Sequence, residues 1–182
     1  MQPITKIRIE HEGFAPPHKY TITRLAVRAL TLRGDKLLMV LSTQAGDFKF
    51  AGGAAHDGET LLEALRREVS EETGYHVDRI GGPLIRAEEY RNDAFEKDTC
   101  FLMISEYYPC TVFDDRGAQN LDDYEAELGF TSSWITAEDA LMVNARLLQN
   151  SDNNPAPWLL RETRVLEALC AMNYSAGDLL KP

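Results

Sequence analysis

The stretch "GGAAHDGETLLEALRREVSEETGY" runs from Gly52 to Tyr75, and most of it reads as one helix. Thr60 followed three residues later by Glu63 fits a capping box with Thr60 as N-cap. Residues 61–73 are filled with Leu, Ala, Arg and Glu, all good helix formers, and Gly74 supplies a left-handed stop. At roughly 100° per residue, Leu61, Leu62, Leu65 and Val69 form one apolar stripe, which predicts the buried face. Glu63, Arg67 and Ser70 fall on the opposite side. Glu68, Glu71 and Glu72 are related as i, i+3 and i+4, so they share a face. Glu72 projects between Leu61 and Leu65, inside the apolar stripe.

This arrangement is costly as it stands. Like charges at i and i+4 destabilise a helix by about a few tenths of a kcal/mol, and anions at a helix C-terminus oppose the macrodipole. A solvated acidic face would centre opposite the leucines, whereas this one adjoins them. Arg66 and Arg67 offset part of the repulsion, with Arg67 reaching Glu71 at i+4. A local inconsistency of this kind marks a functional site. Hard divalent cations resolve it: Mg²⁺ prefers oxygen ligands, keeps waters, and pairs carboxylates with substrate phosphates. Zinc is disfavoured, since no His or Cys joins the cluster.

The same residues resemble the box of the Nudix hydrolase family: Gly, five residues, Glu, seven residues, then Arg-Glu-apolar-any-Glu-Glu-any-Gly-apolar. Gly53 is followed after five residues by Glu59, and seven residues later come Arg67, Glu68, Val69, Ser70, Glu71, Glu72, Thr73, Gly74 and Tyr75. Every fixed position matches; Tyr75 stands where the family usually has an aliphatic residue. The resemblance implies a Nudix-type α/β/α sandwich with a mixed β-sheet, and hydrolysis of a nucleoside diphosphate linked to another moiety. It implies Glu68, Glu71 and Glu72 as ligands of Mg²⁺ or Mn²⁺, with a main-chain carbonyl from Gly52. Glu68 or Glu71 also orients the attacking water, and Gly53, Glu59 and Arg67 brace the loop and helix. Many relatives take a general base from a loop outside the box. Glu125 or Glu127 in the acidic loop before Trp134 is the candidate here, and Glu127 is the choice. A solvated loop acid is the alternative for either; Glu88, Glu89 and Glu106 rank below them.

Outward from the box, the chain of 182 residues reads as a single domain with an N-terminal arm over 1–20 and an extra C-terminal helix over 157–172. Thr21 to Thr43 reads as a hairpin turning at "RGDK", and "FKFAGG" as a short strand ending in glycines. Further strands are expected in "YHVDRIGGPLIRAEEYRN", with a turn at Gly81-Gly82, in "TCFLMISEYYPCTV" and in "FTSSWI". "FDDRGAQNLDDYEAE" reads as an acidic loop and Thr136 to Gln149 as a helix. "SDNNPAP" reads as a breaker before a last amphipathic helix, which covers a sheet edge or forms a homodimer contact.

A net charge of −10 disfavours a duplex nucleic-acid partner, whose binding rests on Lys and Arg. The small-molecule partner implied is a nucleoside diphosphate derivative, its charge carried by metal ions. No apolar run approaches a membrane span, and the first twenty residues lack a signal-peptide centre. Three cysteines without metal-type spacing fit a reducing cytoplasm, with Cys100 and Cys170 as core fillers. Phe48, Phe50, Tyr90, Tyr107 and Tyr108 are core residues or base-stacking surfaces. Arg28, Arg86 and Arg91 are surface residues or phosphate partners, and His56 is an exposed loop residue. A sensor that binds nucleotide diphosphates without turnover is the competing class. Loss of a box glutamate would signal it, and none is lost. An isoprenyl diphosphate isomerase would need a placed cysteine, and Cys100 sits in a strand pattern.

Overall fold

The structure is a computed structural model that describes residues 4–150 and 156–172. The expected breaker at 151–157 lies largely outside the described residues. The order is β1 (Thr5–Glu10), β2 (Tyr20–Arg33), β3 (Lys36–Ser42), β4 (Phe48–Phe50), α1 (Leu61–Thr73), β5 (Tyr75–Ile80), β6 (Ile85–Asn92), β7 (Thr99–Arg116), α2 (Asp123–Glu127), β8 (Phe130–Thr136), α3 (Ala137–Gln149) and α4 (Leu159–Met172). The strands form one open mixed sheet in the order β1-β6-β7-β2-β3-β4, with β5 added to β7 and β8 to β3. β1 runs parallel to β6 and β2 parallel to β7; the remaining pairs are antiparallel. The N-terminal arm therefore carries the outermost strand on one side. No helix among the described residues is long and apolar enough to cross a membrane.

Each sheet face buries its own apolar set, as alternation along a strand requires. On one face, Val27, Ala29, Val40, Val77 and Tyr108 pack against Ala64, Leu65 and Val69 of α1. On the other, Leu30, Met39, Phe50, Ile85 and Tyr107 pack against Ala140 of α3 and Val165, Leu166 and Leu169 of α4. The expected cap of α1 is present: Thr60 Oγ1 accepts from Glu63 N, and Glu63 reaches back to the N-cap amide. Gly74 ends the helix with φ 77°. Leu62 departs from expectation. It is 45% exposed, and Ala64 takes its place in the buried stripe, so that stripe is centred closer to Leu65. The acidic loop also differs, since β7 continues through Arg116 and residues 123–127 turn once as α2.

The C-terminal helix lies on the sheet face, against β4, β6, β1 and α3 of its own chain. A buried polar network fixes it there. Arg161 donates to Glu89 at 2.7 Å, to Glu162 at 2.7 Å and to the Tyr107 hydroxyl at 3.1 Å, and Tyr107 donates to Glu162 at 3.2 Å. Buried charges are tolerated where every member is paired, as here. Trp158 Nε1 donates to Asp47, tying the start of α4 to the turn before β4. Cys100 and Cys110 are buried, Cys170 is half-buried, and all three are free. If α4 is part of the main core, Leu166→Ala will cost about 2–5 kcal/mol in urea denaturation, since Leu166 is fully buried. An unchanged midpoint would show that α4 adds nothing to the core.

Candidate active site

The C-terminal end of α1 explains how distant acids meet. Its last carbonyls have no partner within the helix. The loop after β7 supplies them: Asn120 N donates to Glu71 O at 2.9 Å and Gly117 N to Gly74 O at 2.8 Å. Arg116 Nε donates to Thr73 O at 3.1 Å, and Gln119 Nε2 donates to Glu72 O. The loop then enters α2 through a second capping box. Asp122 N donates to Glu125 Oε2 at 3.0 Å and Glu125 N to Asp122 Oδ1 at 2.8 Å. Fastened at both points, the loop delivers Glu125 to the face of α1 that carries Glu68 and Glu72. One carboxylate oxygen from each of the three lies within 4.8 Å of the others.

Each acid has its own support. Glu72, 1% exposed, accepts from Gly52 N at 2.9 Å and is paired with the buried ammonium of Lys49. The Arg67 fork donates to both oxygens of Glu59 at 2.9 Å, to Glu68 at 2.8 Å, to Glu71 at 3.0 Å and to Ala54 O at 3.2 Å. One guanidinium thus holds the loop and two helix acids together. The Arg67 fork, helped by the His56 amide, holds the Glu59 carboxyl down at about 2. Burial raises the Glu68 carboxyl above its usual value, with the charge of Glu72 adding to it. Burial likewise pushes Glu125 up to about 7, against its bond from Asp122.

The glycines are required by close approach. A Cβ on Gly53 would fall 2.3 Å from Glu68 Oε1, in the space between the loop and the acids. A Cβ on Gly52 would fall 2.1 Å from the Val27 carbonyl, at φ +144°. The acids form one wall of a cavity of about 480 Å³ whose other walls include Arg24, Arg28, Lys49, Tyr124 and Trp158.

Of the residues expected at the site, the structure brings together Glu68, Glu72, Gly52 and Gly53, with Glu59 and Arg67 beside them. Glu71 is held by Arg67 on the outer flank, where it lines a second cavity of about 290 Å³ with Glu68 and Glu125. The acid from the loop that joins the cluster is Glu125; Glu127 is exposed and outside it. The spacing Asp122-x-x-Glu125 is itself a capping box and marks which acid is fixed. Glu88 and Glu106 pair with Arg86, and Glu89 pairs with Arg161. Phe48, Phe50 and Tyr107 are core residues, Tyr108 packs on the α1 side, and Tyr90 lies under Arg8. His56 is exposed at the cavity rim. Lys49, Tyr124, Trp158 and Arg161 were not anticipated, because only the tertiary fold brings them to the cavity.

The NUDIX domain family model matches residues 22–159. Among solved structures, the chain is similar to a NUDIX hydrolase from Nitrosomonas europaea, with 20% identity over 86% of this chain and 99% of that one, at a TM-score of 0.53. It is also similar to a MutT NUDIX hydrolase from Burkholderia pseudomallei, with 18% identity over 80% and 97% of the two chains, at a TM-score of 0.52. No curated protein matches it. The chain belongs to the Nudix family and is a hydrolase of phosphoric anhydride bonds.

Two outcomes test this geometry. Gly53→Ala will keep the fold but weaken divalent-cation binding in calorimetry by displacing Glu68, whereas Gly52→Ala will cost about 1–3 kcal/mol of stability through backbone strain. Equal effects at the two positions would contradict it. Glu59 is depressed from 4.5 to about 2, so its contribution is complete above pH 4.5 and is lost as the pH falls toward 2. Glu59→Gln will therefore melt lower than wild type at pH 7, and the gap will narrow between pH 4.5 and 3. A constant gap would refute the Arg67 brace.

Proposed function

We propose that the chain hydrolyses the diphosphate of a nucleoside diphosphate joined to another group, such as a nucleoside triphosphate, ADP-ribose or a nucleotide sugar. The observation that carries this reading is the meeting of Glu68, Glu72 and Glu125 within 4.8 Å in the wall of a cavity of about 480 Å³. The donor set fits Mg²⁺ or Mn²⁺. It is all oxygen, with no imidazole or thiolate, and the missing Cβ of Gly53 leaves room for the Glu68 carboxylate itself. Glu68 and Glu72 would hold the ion, with Glu71 serving an outer position beside Glu68, the Gly52 carbonyl a further candidate ligand, and Glu125 left uncoordinated. When bound, the dication supplies Lewis-acid polarisation of phosphoryl oxygens and neutralises the leaving phosphate.

The chain's own residues do the rest. Arg67 holds Glu68 and Glu71 in fixed rotamers, so the acids need not reorganise as substrate binds. Lys49 places a fixed positive charge behind Glu72. Glu125 has one oxygen engaged by the Asp122 amide, which fixes its plane, and it is the proposed base for the attacking water in place of Glu127. Free thiols on all three cysteines fit a cytoplasmic setting.

Glu68→Gln and Glu125→Gln are expected to lower kcat by about 10²–10⁴ with melting unchanged, assayed by phosphate release from a panel of nucleoside diphosphate derivatives with Mg²⁺. Glu72→Gln will also lower stability by about 3–5 kcal/mol, because it leaves Lys49 buried without a counter-charge. Full activity in the Glu68 and Glu125 variants would sink this reading.

A further inference from the structure

Three cations are buried among the described residues: Arg28, Lys49 and Arg161. Lys49 is paired with Glu72, and Arg161 with Glu89 and Glu162. Arg28 is different. It is 8% exposed, and among the described residues its Nε has no hydrogen-bond partner and no ion pair engages its guanidinium. A buried charge without a partner is expensive, so this position is built for a group that arrives from outside.

Its surroundings identify that group. Arg24, Ala26 and Arg28 follow one another on one face of β2, opposite Met103, Ser105 and Tyr107 of β7. Arg28 lies where the cavity holding the carboxylates continues into a recess of about 180 Å³, and both are lined by Arg28, Met103, Trp158 and Arg161. Its charge is close enough to Glu68 to favour the ionised carboxylate. Of the two described cations that line both cavities, Arg161 is neutralised by its two acids and Arg28 is not. A guanidinium fork with free N–H groups matches a phosphate better than any neutral ligand.

We infer that Arg28 anchors the second phosphate of the substrate's diphosphate, the one not held at the carboxylate cluster, and directs the group attached to it into the recess beside Trp158. The diphosphate then lies across the cavity from Glu68 to Arg28. This orientation rests on the hydrolase reading, but the anion site itself does not.

The probe is methylenebisphosphonate, which cannot be hydrolysed, titrated calorimetrically with Mg²⁺ present. Arg28→Met should weaken its binding at least about tenfold, as expected for loss of a charge-assisted pair. The unliganded variant should melt at or above the wild-type temperature, since no native partner is lost. Arg28→Lys keeps the charge without the fork and should fall between the two; it also carries the test if the methionine variant does not fold. Wild-type affinity in either variant would overturn the inference, as would failure of the wild-type protein to bind the probe. An Arg28→Met variant that melts lower without ligand would show a structural role and overturn it as well. A wild-type protein that binds the probe through Arg28 yet hydrolyses no diphosphate would instead sink the enzymatic reading alone.

Discussion

The unpaired carbonyls at the end of α1 govern the site. Glu71, Glu72, Thr73 and Gly74 present oxygens that the helix cannot satisfy, and residues 116–120 satisfy all four. Each such bond adds about 0.5–1.5 kcal/mol, so together they hold a long loop against the helix. What that loop brings is a third carboxylate. A requirement of backbone hydrogen bonding, unrelated to catalysis, thereby gathers the acids from two parts of the chain.

Two cations then make the crowding tolerable, and they are not interchangeable. Arg67 is planar and many-donored, and it spans Glu59, Glu68, Glu71 and a loop carbonyl from one side. Lys49 is a point charge on a flexible stem, buried beside the rings of Phe130 and Trp158, and it serves Glu72 alone. The rigid fork organises the exposed flank, and the single ammonium occupies the confined one. Neither is paired with Glu125, whose carboxyl burial pushes up to about 7 against the charge of Lys49.

Local features were legible in the sequence because local rules decide them. The Thr60–Glu63 cap, the stop at Gly74 and the placement of Glu72 among leucines all follow from contacts within a few residues. The wheel misjudged Leu62 because Ala64, small but wholly buried, shifts the centre of the apolar face without adding to its apparent hydrophobicity. Glu125 and Glu127 could not be ranked by charge; only the capping geometry at Asp122 separates them. Lys49, Trp158 and Arg161 were silent for a different reason. They come from β4, from α4 and from the turn just before it, and no periodicity states that α4 crosses the sheet face beside β4. Arg28 was visible as a candidate but not its isolation, which depends on the other buried cations of the described residues, Lys49 and Arg161, having found acids.

β7 ties these parts together over eighteen residues. Met103 near its start borders the recess, while Arg116 at its end begins the loop that carries Glu125. It is paired with β2 and β6 along its first part and with β5 further on. A one-residue slip in its unbroken pairing with β2 would turn Met103 away from the cavity, whereas its pairing with β5 beyond Cys110 already carries register shifts. The stretch paired with β2 thereby sets the recess at a fixed backbone position relative to the carboxylates. The width of the recess is thus left to side chains such as Met103 and Trp158, because the backbone beneath them is pinned by a twelve-residue run of partners.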